Sequence, residues 1–430
     1  MVIIFETTET LCFNQRKVPA DKVSKFELQT NFSITLKTGT METQSNIVNF
    51  DGQNIYVGID VHKKNWSICL RNDEFELKKF SQAPQPDLLV QHLKRNYPGA
   101  KYKCVYEAGF CGFWIEQQLK AQGVDCIVVN AADVPTSDKE KKHKSDKVDC
   151  RKLSRELSSG NLKGIYVPDQ AQLDDRKLVR TRDRFVVDQT RLKNRIKSLL
   201  DFYGIKIPEA FAQSSAWSKK FINWLEKLDF ENGTAKMSLM LLLEEYNMIR
   251  KLVVGATKAI KILAATPAYQ QRTELLRSIP GIGLTNSMVI LTELGDIKRF
   301  KDMDHLCSYA GFVPNVYASG DTERTGQMTR RGNHHLCDAI IESSWMIIRM
   351  DPVMLSCYTR YCKRMDSNKA IIKIARKLLS RIRYVLVTNK RYELSTTETK
   401  KSAEFFKASA ARIDTKKPKQ QASASAIPAG

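Results

Sequence analysis

What this 430-residue sequence lacks narrows its class. No uninterrupted apolar run approaches the roughly 18 residues a membrane-spanning helix needs, so a transmembrane helix is excluded. Its ten cysteines include no C-x-x-C pair. The closest two, Cys357 and Cys362, stand in a basic segment without a second pair, which argues against a zinc site. The thiols read as reduced, mostly core residues of a cytoplasmic protein. Histidine is sparse and dispersed, and His334 and His335, being adjacent, diverge on a helix. The opening Met1-Val2-Ile3-Ile4-Phe5 meets Glu6 with no basic lead-in, which predicts no secretory signal. Acidic residues are the scarcest relative to their opposites: 47 Asp and Glu against 69 Lys and Arg leave a net charge of +22. That imbalance predicts a polyanionic partner, with nucleic acid ahead of a membrane surface.

Enough apolar material remains, 42% of the chain, to build sizeable cores and exclude global disorder. The length suggests two or three domains. Residues 1–53 are polar and weakly periodic and read as a disordered or non-native extension, with a coherent restart near Met41. From Asn54, short apolar runs at 55–59, 66–70 and 75–77 predict strands in a meander. A helix at 86–96, a strand ending at Glu107, a helix at 113–122 and a strand at 125–129 follow. This order fits an α/β domain with a mixed sheet over 54–168. Residues 169–266 carry two long seven-residue apolar repeats. Leu178, Phe185, Leu192 and Leu199 mark one; Leu239, Tyr246, Val253 and Ile260, with Leu242, Ile249, Ala256 and Leu263, mark the other. They predict an oligomerising coiled coil, with an intrachain helical hairpin as the alternative. Residues 267–392 read as mainly α, and 393–430, rich in Lys, Ser, Ala and Gln, as a disordered tail.

The acidic residues that are present fall in telling places. Asp60 ends the first strand and Glu107 a later one. Asp146 and Asp149, three apart, share one face of a helical turn. Four carboxylates from three separated segments are what holding two divalent metals over a phosphodiester requires, and their hard oxygens suit Mg²⁺ or Mn²⁺. Lys139, Lys141, Lys142, Lys144 and Lys147 around the pair would attract a phosphate backbone. Strand-Asp, strand-Glu and paired Asp is the ribonuclease H-like nuclease pattern.

Further along, Pro280-Gly281-Ile282-Gly283 between two helical patterns reads as a helix-hairpin-helix. Gly281 and Gly283 allow a tight turn whose amides and following helix N-terminus can hold a phosphate. Ser319 lies in Tyr317-Ala318-Ser319-Gly320, where a lone serine reads as a turn residue. Arg324, Arg330 and Arg331 form a phosphate clamp or a solvated face. Residues 369–383 combine an apolar stripe with Lys373, Arg376 and Lys377, a packed helix whose outer surface could contact nucleic acid.

With these motifs laid out, the sequence resembles the insertion sequence 110 family of DEDD transposases, in its 1111-like branch. The resemblance spans about residues 54–390. It rests on Tyr56 through Lys63, Tyr106-Glu107-Ala108-Gly109, Lys144 through Asp149, Ile279 through Gly283, Gly311 through Pro314, Ser319-Gly320 and Thr329 through Leu336. It implies a RuvC-like N-terminal domain, a coiled-coil insert and a C-terminal transposase domain. Carried over by motif, Asp60, Glu107, Asp146 and Asp149 would hold the metal, and Ser319 would be the nucleophile that joins covalently to DNA. The resemblance further implies homo-oligomers, dimeric or tetrameric, guided by a bridge RNA. Residues 1–40 match nothing in the pattern, and Cys337 stands where such proteins often carry Arg. A site-specific recombinase acting on DNA is therefore the leading expectation. A RuvC-like junction nuclease using water, or a non-catalytic nucleic-acid-binding protein, are the alternatives.

Overall fold

The computed structural model describes residues 50–136, 146–212, 217–319, 322–329 and 331–394; within them, the side chains of 146, 147, 212, 316–319, 322–325 and 327 are not described. The expected extension at 1–53 and tail at 393–430 therefore lie almost wholly outside the described residues. Two compact units part between Ile165 and Tyr166.

The first unit is built on a five-stranded mixed sheet in the order β3-β2-β1-β4-β5. Its strands are β1 (Asn54–Val61), β2 (Trp66–Arg71), β3 (Glu76–Gln82), β4 (Lys101–Glu107) and β5 (Asp125–Val129). β1 and β2 run antiparallel through a turn at 62–65, and β2 and β3 are antiparallel as well. β4 and β5 continue the sheet in parallel, so each needs a crossover helix: α1 (Pro86–Asn96) and α2 (Trp114–Ala121). Ile55, Val57 and Ile59 on one face of β1 are fully buried, and Tyr56 and Gly58 on the other are buried too, as a central strand covered on both faces requires. The third strand is longer than the sequence suggests. β3 is an edge strand whose Lys78 and Lys79 interrupt any apolar alternation, a composition that protects a sheet edge from further pairing.

A third helix, α3 (Asp146–Ser158), lies on β1, β2 and β4. Gly58 makes this possible. A Cβ at that position would fall 2.1 Å from the Cys150 carbonyl oxygen and 2.6 Å from the Ser154 nitrogen. Only a residue without a side chain lets the helix backbone come so near the strand.

The second unit opens with α4 (Gln170–Phe202), a helix of 33 residues, roughly 50 Å at the usual rise. Two short helices, α5 (Glu209–Ala212) and α6 (Lys219–Glu226), lead into α7 (Gly233–Ala264). Arg182 approaches Thr257 and Arg195 approaches Glu245, so α4 and α7 run antiparallel. Much of the heptad pattern is used inside the chain. Leu192, Leu239 and Tyr246 are buried in one cluster with Ile196, Leu200, Phe221 and Leu243. At the far end of the pair, Val179, Ile260 and Ala264 join the core of the helices that follow. A different face of α7 stays open, with Met237, Leu241, Met248 and Leu252 exposed.

The remaining helices are α8 (Gln270–Arg277), α9 (Leu284–Leu294), α10 (Met303–Ala310), α11 (His334–Met350), α12 (Pro352–Cys362) and α13 (Ser367–Thr388). A hairpin that the mainly helical expectation did not include, β6 (Pro314–Ser319) with β7 (Thr322–Met328), stands between α10 and α11. Two stands of backbone close its root. Thr329 N–H donates to the Val313 carbonyl at 3.0 Å and Asn333 N–H to the Tyr309 carbonyl at 2.8 Å. There Gly311 and Gly332 meet backbone to backbone; a Cβ on Gly332 would lie 2.2 Å from the Gly311 Cα. Among the described residues, no helix is long and apolar enough to cross a membrane.

Apolar on most sides, α9 forms the centre of this core, and it carries a fully buried carboxylate, Glu293. Arg180 grips it with two hydrogen bonds, at 2.7 and 2.8 Å, and Arg176 lies 3.5 Å away. Asn333, which caps α11, donates to the same carboxylate at 2.8 Å. Burial pushes the Glu293 carboxyl up, but the Arg180 and Asn333 hydrogen bonds and the two guanidinium charges outweigh it and hold the group below its ordinary 4.5. Its contribution to stability is therefore fully present above that value and is lost as pH falls through the lower folded value. Glu293→Gln, which leaves two arginines without their counter-ion, should cost about 3–5 kcal/mol. Acid titration followed by circular dichroism should show the wild-type loss below pH 4.5 flattened in the variant.

Candidate active site

Strand register brings the first two acidic residues together. β1 and β4 are parallel with Gly58 beside Val105 and Ile59 beside Tyr106, so the next step sets Asp60 beside Glu107 at the C-terminal edge of both strands. Gly58 and Asp60, two apart, share the face that α3 covers. The close approach permitted by Gly58 then delivers the first turns of α3, with Asp149, to the same edge.

Lys152 joins the group from the next turn of α3. Its side chain is only 9% exposed, and its ammonium lies 3.8 Å from Glu107 Oε1 and 3.6 Å from Asp149 Oδ1. One buried cation thus stands between two carboxylates contributed by a strand and a helix. On the other side, His62 Nε2 lies 3.1 Å from Asp60 Oδ2 and orients that carboxyl group. Asp146 begins α3, but its side chain is outside the described residues. Among the described residues, no three His, Cys, Asp or Glu side chains stand at metal-holding spacing. The donor set is nevertheless of the right kind: hard oxygens on a rigid frame, already accommodating positive charge at the Lys152 ammonium.

In the second unit the Pro280–Gly283 turn does join two helices, α8 and α9. Gly281 has φ of 88°, and a Cβ there would lie 2.8 Å from Ile347 N and 2.9 Å from Ser343 O of α11. Its conformation and its packing both require glycine. Gly283 is exposed, with open space around its Cα, and precedes the first turn of α9. Arg331 is exposed at the root of the hairpin. Ser319 ends β6 and Arg324 lies on β7, paired with Tyr317, but their side chains are outside the described residues, as is Arg330 altogether. On α13, Ile371, Ala375, Leu378, Leu379 and Ile382 are buried. Lys373 is exposed, while Arg376 and Lys377 are half-buried, Arg376 lying 3.6 Å from Asp304.

Comparison with known proteins decides the family. Residues 57–205 match the DEDD model of the IS110 group, described as a transposase, and residues 273–359 match the model described as the transposase IS116/IS110/IS902 family. The chain belongs to the IS110 family of transposases. The first match contains Asp60, Glu107, Asp146 and Asp149; the second contains the 280–283 turn and the β6–β7 hairpin. The transposase for insertion sequence element IS1533 of Leptospira borgpetersenii is 26% identical, covering 58% of this chain and 72% of its own. That for IS1111A of Coxiella burnetii is 24% identical over 49% of this chain and 56% of its own. The pilin gene-inverting protein of Moraxella bovis is 30% identical over 30% of this chain and 41% of its own. The DEDD match makes the first unit of this transposase a ribonuclease H-like α/β fold, in keeping with its mixed sheet. DNA is the partner on which a transposase acts.

Sequence reasoning passed over Lys152 and His62. Each carried a signal: Lys152 is three residues past Asp149 on one helix, and His62 is two past Asp60. Lys152→Met keeps the aliphatic stem and removes the charge. In metal-free buffer it should lower the unfolding free energy by about 1–3 kcal/mol, because two neighbouring carboxylates lose their shared cation. Added Mg²⁺ should restore part of the loss. Thermal unfolding of both proteins with and without Mg²⁺ checks this, and equal melting temperatures without metal would deny Lys152 the role.

Proposed function

We propose that this transposase cleaves and exchanges DNA strands by a metal-dependent reaction through a serine-linked intermediate. The observation that carries the reading is the convergence of Asp60, Glu107 and Asp149 on one sheet edge, with a buried ammonium between two of them. Asp146, one turn before Asp149, completes the set of ligands. These carboxylates would hold a divalent cation, Mg²⁺ or Mn²⁺, which would supply Lewis acidity for the scissile phosphate and the attacking hydroxyl. His62 and Lys152 hold the carboxylates in place. Ser319 attacks phosphorus, the bond to the leaving 3′ or 5′ oxygen breaks, and the phosphodiester energy is conserved in the protein–DNA bond. Arg324, Arg330 and Arg331 steady the charge on the phosphoryl oxygens.

In this reading residues 54–168 are the RuvC-like catalytic domain, 169–266 a coiled-coil region and 267–392 the transposase domain. The 280–283 turn acts as a helix-hairpin-helix, presenting Gly281, Gly283 and the α9 N-terminus to a phosphate. Lys373, Arg376 and Lys377 add backbone contacts, and the net charge of +22 suits a bridge RNA as well as DNA. The name of the Moraxella relative, an inverter of a gene segment, is in keeping with strand exchange between two sites.

The test is a denaturation-resistant adduct between protein and labelled element-end DNA. Both Ser319→Ala and Asp60→Asn should lose it, and chelator should abolish cleavage. Normal cleavage by Ser319→Ala would favour the water-using nuclease.

Self-association through the open face of α7 belongs to the same proposal. Met237, Leu241, Met248 and Leu252 are exposed there beside a groove of about 460 Å³ that includes Leu243 and Lys251. Replacing Met248 and Leu252 with Glu should reduce the oligomer seen by light scattering while leaving helix content unchanged, because neither side chain belongs to the buried seam. Unchanged mass would remove this face from the assembly.

A further inference from the structure

Two loops leave the carboxylate edge directly: residues 62–65 after β1 and residues 108–113 after β4. The second presents Phe110 to solvent, 64% exposed, and leads into Trp114, 39% exposed. A single exposed ring calls for no explanation. Phe110 differs in its setting. Its loop is pinned at both ends, by Ala108 N–H donating to the Val129 carbonyl at 2.8 Å and by the Tyr106 hydroxyl donating to the Gly112 carbonyl at 3.0 Å. Trp114 is backed by buried Trp66, with ring centroids 6.1 Å apart. Lys63, on the other loop, holds its ammonium 5.9 Å from the Phe110 ring centre, and Lys64 beside it is exposed. Rigid aromatic faces interleaved with lysines are the physical pattern of single-strand binding, where bases stack on rings and cations meet the backbone.

We propose that Phe110, with Lys63 beside its ring and Trp114 following in the same segment, is a stacking platform for an unpaired base of the DNA strand entering the carboxylate edge. The inference rests on that edge being the strand-cleaving site, since it assigns the platform to the same strand. The ring's cost of exposure is then relieved in the complex, and the neighbouring lysines explain why a nucleic acid, and not an apolar peptide, is the occupant. A stacked base would fix the position of the adjoining phosphate relative to Asp60 and Glu107, which lie at the roots of the two loops.

The test uses the full chain and a single-stranded oligothymidylate carrying one 5-iododeoxyuridine, photocrosslinked and mapped by mass spectrometry. The adduct should fall on the peptide containing Phe110 and Trp114. With a 2-aminopurine probe in the same strand, Phe110→Ala and Phe110→Leu should weaken binding about tenfold and lose quenching, and Phe110→Trp should restore both. Lys63→Gln should lower the salt slope of binding by about one. Crosslinks confined to other segments, or equal quenching in Phe110→Ala, would overturn the platform. Asp60→Asn separates the two ideas. It should abolish cleavage yet keep the crosslink; a cleaving Asp60→Asn would sink the catalytic reading, whereas an inactive one lacking the Phe110 adduct would sink the platform alone.

Discussion

The arrangement at the sheet edge depends on one close approach, that of α3 to β1 at Gly58. A helix normally packs on a sheet through side chains, which keep the two backbones well apart. Here the Cys150 carbonyl occupies the space a Cβ on Gly58 would need. The helix is thereby drawn in until Asp149 and Lys152 reach the end of the strand that presents Asp60. Any side chain at position 58 would lift α3 and carry half the acidic group away with it. The conformational freedom of glycine has no part in this; what matters is its lack of volume.

Much of the first unit was legible because its strands are short apolar runs and its acidic residues end them. Asp60 and Glu107 could be placed at strand termini from composition alone, and a parallel register then makes them neighbours. Lys152 was not legible, since a lysine three residues from an aspartate on a basic helix looks like any solvated pair. Only the burial of its ammonium distinguishes it. The β6–β7 hairpin was missed for a related reason. Thr322 through Gln327 offers no apolar alternation from which a strand could be read. The heptads teach a third lesson: a periodic stripe identifies the face that is covered but not the helix that covers it. Leu192 and Tyr246 are covered within the chain, and exposed methionines mark a separate face that no repeat advertised.

In the second unit, charge and not volume does the organising. Glu293 is buried in an otherwise apolar helix, a costly position unless every oxygen is satisfied. Two arginines from α4 and the cap residue of α11 satisfy it, so three helices are oriented by one carboxylate. Tyr309 adds a fourth element by donating to the Glu293 backbone carbonyl at 2.8 Å. The helix cap, the end of α10 and the root of the hairpin are therefore set by a single polar centre. An apolar replacement would fill the volume but leave the directions unspecified.

The contact between Gly311 and Gly332 has a consequence for how this transposase can change. Each glycine occupies the room the other's side chain would take, so the two positions restrict each other's mutational paths. In most packed pairs an enlarged residue can be rescued by shrinking its neighbour. Here both partners already carry only hydrogen, and no smaller side chain exists to compensate. The root of the hairpin is thus closed to second-site reversion at the contact itself.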